Sequence, residues 1–255
     1  MKMMVWNCGK GFVGSNKFRK IKDDTDISII LECDLNERKK MRKEDREAWG
    51  GEKENLKIYA EYRYDNLDDV GKTEKKCFGF AIFVHNDKYE LEEEKIIDEW
   101  LKQFLVFTIN NKVRVVVYHG NPDGLNGIGD LRYAIDKYKT VFFGAMPVFI
   151  CGDFNSNTNN DYKKPFHSHR EFENIMETYG MKSYYDIKNG YRAEKKPTWR
   201  QRIMNKGGAE NHIDYFWGRK EFFEKDKFSI GDSSWYRYSD HVPLFIELND
   251  DIIFN

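Results

Sequence analysis

The sequence predicts an α/β layered fold, two β-sheets with helices on their outer faces. Nine short runs read as strands: "MMVW", "ISIIL", "LKIYAEY", "CFGFAIFV", "FLVFTI", "VRVVVYH", "PVFICG", "IDYFW" and "PLFIEL". Helical spacing is rarer and falls between them. A chain of 255 residues, 40% hydrophobic and 16% aromatic, can bury a core large enough for such layers.

Along the chain, "MMVW" and "ISIIL" come first. "ISIILEC" runs directly into Glu37–Arg46, "ERKKMRKEDR", charged at nine of ten positions. That segment reads as a solvated helix or loop, or alternatively as a basic rim over a phosphate site. Four further runs follow, from "LKIYAEY" to "VRVVVYH". Leu131, Ala134, Ile135, Tyr138 and Phe142 then share one helical face. After "PVFICG", a second helix is marked by Phe172, Ile175, Met176 and Tyr179. Ser168 and Glu171 form a capping box at its start, and Gly180 fits the position just past its end. "IDYFW" and "PLFIEL" complete the set.

With 5 prolines, 19 glycines, no low-complexity stretch and no internal repeat, one domain over residues 1–255 is expected. The 42 Lys+Arg against 43 Asp+Glu give a net charge of −1, so any polyanion site must be a local patch. Cys8, Cys33, Cys77 and Cys151 form no CxxC pair, which argues against a zinc site or a disulfide framework and suits a reducing compartment. "MKMMVWNCGKGF" lacks a signal-peptide apolar region. The longest apolar stretch, "VFFGAMPVFIC", is too short for a bilayer, so a soluble, cytoplasmic protein is expected.

Polar residues recur at the strand ends. Asn7 follows "MMVW", Glu32 follows "ISIIL", His119 and Asn121 follow "RVVVY", and Asp153 and Asn155 follow "VFICG". Asp214 lies in "NHIDYFW", and Asp240-His241 open "VPLFIEL". Taken alone, "GDFNSN" is ordinary turn chemistry. Six such placements together describe a site. Glu32 with a further carboxylate and Asn7 are hard oxygen ligands suited to Mg²⁺ or Mn²⁺. Two histidines and an Asp-Asn pair beside the metal supply proton transfer and phosphate-oxygen binding.

The ordered series "WNC", "LEC", "YHGN", "GDFNSN", "TW", "HIDYFW" and "SDHVPL" runs from Trp6 to Leu244. It resembles the endonuclease/exonuclease/phosphatase superfamily, which includes deoxyribonuclease-I-like and exonuclease-III-like members and inositol-polyphosphate 5-phosphatases. It is most similar to bacterial members with "WNC", "QEC", "GDFNSN", "HIDY" and "SDHMPL". The resemblance implies a four-layer α/β sandwich of two packed mixed sheets flanked by helices. It makes Glu32 the main metal ligand, with Asn7 positioning metal and phosphate and Asp240 at the metal. Asp153 would orient or deprotonate the attacking water, Asn155 hold a non-bridging oxygen, His241 contact the scissile phosphate, and Asp214 fix the His241 tautomer. Either Tyr118 or His119 takes a phosphate-contacting role; His119 is preferred, and strand alternation keeps both from pointing inward. Gly9 stands where AP endonucleases of the family carry an acidic residue.

The implied activity is Mg²⁺-dependent hydrolysis of nucleic-acid phosphodiesters, DNA rather than RNA, by an endonuclease or exonuclease. Asn121, Trp199, Arg200 and Arg202 are the candidate substrate contacts, with Trp217 and "WYRY" (235–238) nearby, although core packing is the alternative for these aromatics and an equal one for Trp217. A phosphatase or small-molecule phosphodiesterase acting on nucleotides or inositol phosphates is the alternative. A catalytically silent binding module is a third, disfavoured by the intact Glu32, Asp153, Asn155 and His241.

Overall fold

The computed structural model describes all residues except 22–24, 37–40, 64–76, 99, 102, 121–127, 164–167, 191–194, 202–207 and 255. Its strands are β1 (Lys2–Asn7), β2 (Ile27–Cys33), β3 (Leu56–Arg63), β4 (Cys77–Val84), β5 (Leu91–Glu93), β6 (Phe104–Ile109) and β7 (Val113–His119). After them come β8 (Val148–Asp153), β9 (Met181–Ser183), β10 (Trp199–Arg200), β11 (Glu210–Asn211), β12 (Asp214–Arg219), β13 (Phe223–Ile230) and β14 (Leu244–Leu248). The helices are α1 (Lys43–Lys53), α2 (Gly129–Lys137), α3 (Lys139–Phe143), α4 (His169–Thr178), α5 (Tyr184–Asn189) and α6 (Asp251–Phe254).

All nine expected runs form strands. They assemble into two six-stranded sheets, ordered β13-β14-β1-β2-β4-β3 and β5-β6-β7-β8-β12-β9, while β10 and β11 form a separate two-stranded ribbon. Each sheet contains one parallel pair at its centre, β1 with β2 and β7 with β8; the other pairings are antiparallel.

Strand alternation sorts the apolar side chains into three layers. Met3, Val5, Ile27, Ile29, Leu31, Val115, Val117, Phe149, Cys151 and Phe216 fill the space between the sheets. On the outer face of the first sheet, Met4, Trp6, Ile30, Ala81 and Phe83 meet Phe12, Phe18 and Trp49, the last from α1. On the outer face of the second, Val116, Tyr118, Val148, Ile150, Tyr215 and Trp217 meet α2, α3 and α4 through Leu131, Ala134, Ile135, Phe142, Phe172 and Met176. This is the expected four-layer α/β/β/α sandwich. Both faces of the central strands are covered, which is why their sequences are almost continuously apolar.

Local signals behave as read, with one difference. Ser168 caps α4 by accepting from the Glu171 amide, and Gly180 follows with φ +73°. The helical face from Leu131 to Phe142 is split into α2 and α3 at Tyr138, whose φ −113° and ψ 41° leave the helical region. The charged run at 37–46 lies partly outside the described residues, but from Lys43 it opens α1, which buries Trp49. Cys8, Cys33 and Cys151 are buried free thiols. Among the described residues, no helix is long and apolar enough to cross a membrane.

Candidate active site

The C-terminal ends of the two parallel pairs face each other, and four polar residues leave them there: Asn7 from β1, Glu32 from β2, His119 from β7 and Asp153 from β8. The Asn7 amide spans the two sheets. Its Nδ2 donates to Asp153 Oδ2 at 3.0 Å and to Glu32 Oε1 at 3.2 Å, while its Oδ1 accepts from the Gly9 amide at 3.0 Å. His119 Nε2 lies 3.5 Å from Glu32 Oε1 and 3.8 Å from Asp153 Oδ2.

Two backbone irregularities aim the carboxylates. β2 and β4 slip register between Ile30 and Cys33, and Glu32 takes φ +51° in that bulge, a conformation few non-glycine residues hold. Gly152 has φ +132°, and a Cβ there would overlap the Tyr118 carbonyl oxygen of the paired strand, so only glycine fits before Asp153. Past the strand, Asn155, at φ +47°, donates its backbone N–H to Asp153 Oδ1 at 2.8 Å and its Nδ2 to the Gly120 carbonyl at 2.8 Å. The turn in "GDFNSN" therefore locks Asp153 in place.

The remaining members arrive from β12 and the segment before β14. His241 Nδ1 lies 2.9 Å from Asp214 Oδ2, and its Nε2 lies 3.6 Å from Asp153 Oδ2. Thr198 Oγ1 accepts from the amides of Ile213 and Asp214, each at 3.1 Å, and so fixes the Asp214 backbone. Ser239 Oγ donates to the Asn7 carbonyl at 2.8 Å and accepts from the His241 amide at 3.1 Å. The Trp6 indole donates to the His241 carbonyl at 3.2 Å. Thr198 and Ser239 stand inside the quoted motifs "TW" and "SDH", yet no role fell to them in the sequence, because a hydroxyl's partners are set by tertiary contact.

Burial sets the electrostatics. Asn7, His119, Asp153, Asp214 and His241 are all buried, whereas Glu32 keeps 18% of its side chain exposed. Burial raises the Asp153 pKa, and the neighbouring Asp214 charge adds to the rise. Burial also works against the charged form of His241, but Asp214 and Asp153 outweigh it and push its pKa up. His119 is lowered to about 4 by burial, opposed by Glu32, so its imidazole is neutral at pH 7. The Cys8 thiol is pushed up to about 12, chiefly by burial, and remains protonated.

Of the two residues weighed in "YHGN", His119 faces the site. Tyr118 points to the opposite layer and packs edge-on against Phe154. Asp240 sits at the rim, where its Oδ2 accepts from Trp199 Nε1 at 3.3 Å. Arg200 lies beyond it, paired with Glu210 at 2.6 Å and stacked over Tyr236 at 4.8 Å. Asn121 and Arg202 are outside the described residues. Trp217 is core: it is buried and packs edge-on against Phe172 at 5.2 Å. Gly9 holds φ +58°, which favours glycine, and a Cβ there would stand 2.9 Å from Asp240 Oδ1, so a side chain at this position would have to displace the Asp240 carboxylate.

The ligand atoms of Asp153, Asp214 and His241 lie within 4.8 Å of one another, a group able to hold a metal ion. Together with Glu32 and Asn7 the surroundings are oxygen-rich, and the nearby thiol is protonated. Such a donor set fits a hard cation better than zinc.

A sandwich of two mixed sheets with its polar residues gathered at the ends of both parallel pairs has the fold of the endonuclease/exonuclease/phosphatase, or deoxyribonuclease-I-like, superfamily. Solved structures bear this out. TDP2 from Caenorhabditis elegans aligns with a TM-score of 0.59 at 16% identity, over 97% of this chain and 74% of that one. The 3′-5′ exonuclease NExo from Neisseria meningitidis aligns with a TM-score of 0.60 at 15% identity, over 98% and 100%. The endonuclease domain of TRAS1, a telomere-specific non-LTR retrotransposon, aligns with a TM-score of 0.58 at 10% identity, over 97% and 98%. No protein-family model and no curated protein sequence matches the chain. At these identities the likeness establishes the fold.

Proposed function

We propose that the chain is a Mg²⁺-dependent phosphodiesterase that hydrolyses nucleic-acid phosphodiester bonds, DNA in preference to RNA. The observation that carries this reading is the Asn7 amide bonding at once to Glu32 from one sheet and Asp153 from the other. It brings an accessible carboxylate and a buried one to a single edge, beside two imidazoles. A structure of NExo holds a product DNA hairpin and one of Danio rerio TDP2 a single-strand DNA product, which supports the choice of nucleic acid.

Glu32 and Asn7 would hold the Mg²⁺, with Asp240 at its rim. There the ion would supply Lewis-acid polarisation of a phosphoryl oxygen and neutralisation of developing charge. Asp153, held by Asn155 and Asn7, orients the attacking water and accepts its proton; its raised proton affinity suits that task near neutral pH. His241 keeps its proton through Asp214 and presents Nε2 to the scissile phosphate. Neutral His119 and Asn155 offer further contacts to phosphate oxygens.

A substrate panel tests the reading: supercoiled plasmid, single-stranded DNA, RNA, bis-p-nitrophenyl phosphate and inositol phosphates, each with Mg²⁺ and with chelator. Hydrolysis of DNA that vanishes with chelator is expected. Full activity in EDTA, or turnover of inositol phosphates alone, would overturn it.

A further inference from the structure

β1 leaves the site through Gly9-Lys10-Gly11, three successive residues with φ of +58°, +71° and +63°. Glycine takes such angles freely, but Lys10 does not, and a strained residue persists only where its surroundings enforce it. Lys17 does so from within. Its buried ammonium donates to the carbonyls of Cys8, Gly9 at 3.4 Å and Lys10 at 2.7 Å, gathering three consecutive carbonyls around one cation. On the other side Gly9 lies against the Asp240 and Ser239 side chains, 2.9 Å and 3.0 Å from where a Cβ would stand.

The pinned turn displays Lys10. The residue is exposed, its Nζ lies 4.9 Å from the Phe78 ring centroid, and among the described residues its ammonium forms no ion pair. Phe78 precedes Gly79, the cross-strand partner of Cys33, so Lys10 rests on the strand that pairs with the bulge carrying Glu32. A lysine serving only solubility needs no such anchoring, and the scissile phosphate already has His119, Asn155 and His241. An additional cation at the mouth has a use where the substrate carries a further phosphate.

We propose that Lys10 forms a second phosphate subsite, contacting the phosphate adjacent to the scissile one in a polynucleotide, with Lys17 and the flanking glycines as positioning residues. The proposal rests on the nuclease reading of the site. Steady-state kinetics on a single-stranded oligonucleotide and on bis-p-nitrophenyl phosphate, which has no neighbouring phosphate, would test it with Lys10→Ala, Lys10→Glu and Lys10→Arg. Lys10→Ala should raise KM for the oligonucleotide about fivefold, Lys10→Glu more, and Lys10→Arg little, with the loss on the small diester several-fold smaller. Oligonucleotide binding to the Asp153→Asn protein, followed by fluorescence anisotropy, should show the slope of log affinity against log salt reduced by about 0.7 on adding Lys10→Ala, the share of one single-strand phosphate contact. Equal losses on both substrates, or an unchanged salt slope, would overturn the proposal. A wild-type protein inert on both substrates would remove the nuclease reading along with it, whereas an active wild type with an unaltered Lys10→Ala KM removes the subsite alone.

Discussion

The two sheets supply the site from equivalent places by unlike means. Each sends its polar residues from the C-terminal ends of its one parallel pair. The first delivers Glu32 on a non-glycine residue at φ +51° and leaves it partly exposed; the second delivers Asp153 after an unstrained glycine and buries it. An accessible carboxylate can meet a hydrated cation without stripping it bare, whereas a buried one has its proton affinity raised by the loss of water. Under the proposed function, two acidic residues of similar intrinsic strength are thereby set apart, one for metal holding and one for proton transfer.

The largest effect that would break this comparison is on Asp153. Asp153→Asn preserves the turn but removes the proton acceptor, so kcat on DNA should fall by at least ~10²-fold with little change in melting temperature. His241→Ala should lose a similar factor, and the double variant far less than the product of the two, measured as turnover at saturating Mg²⁺. Near-normal turnover in Asp153→Asn would leave the buried carboxylate without a chemical task.

Exchanging the backbone solutions sharpens the contrast. Glu32→Gly relieves a strained residue and should stabilise the fold by about 1 kcal/mol, while Mg²⁺ half-saturation rises at least ~10-fold. Gly152→Ala forces a Cβ into the Tyr118 carbonyl and should cost about 3 kcal/mol in urea unfolding. Stabilisation at one position and destabilisation at the other is the expected pattern.

Acid stability should also divide the halves. His212 and His169, packed against Tyr215 of the second sheet, are both lowered by burial, His212 to about 4. The folded protein keeps them neutral where the unfolded chain, with histidine pKa near ~6.5, takes up protons. Stability should therefore fall as pH drops from about 6.5 to about 4, at up to ~1.4 kcal/mol per pH unit for each imidazole. Melting temperatures across that window should flatten in His212→Gln. The smallest effect belongs to Arg200, already paired with Glu210 at the surface. Arg200→Ala should raise KM for DNA by only about twofold.

What could be read from the sequence follows how completely an element is buried. The nine strands found by their apolar runs include every strand covered on both sides. Those that went unseen among the sheet members, β5, β9 and β13, are edge strands. The β13 sequence, "FEKDKFSI", is rich in charged residues, which hide it from a hydrophobic pattern. The site behaved likewise. Asn7, Glu32, His119, Asp153, Asn155, Asp214 and His241 stand directly at strand ends or in recurring motifs, and the fold brings them together. Trp217 could be read either way, because a tryptophan near a motif looks the same in sequence whether it lines a site or fills a core, and the fold decides for the core. Thr198, Ser239 and Lys17 act through backbone groups distant in the chain, and no local pattern announces such bonds.

The Trp6 indole and the His241 carbonyl it binds are 235 residues apart in the chain, and β14 enters the first sheet between β13 and β1. On the ribosome, Asn7, Glu32, His119 and Asp153 all emerge before that strand exists. A nascent chain can therefore collapse around its carboxylates before the His241 imidazole reaches them. Only when the segment ahead of β14 docks beside β1 does His241 join them, and the bond from the buried Trp6 indole to the His241 carbonyl forms in the same step.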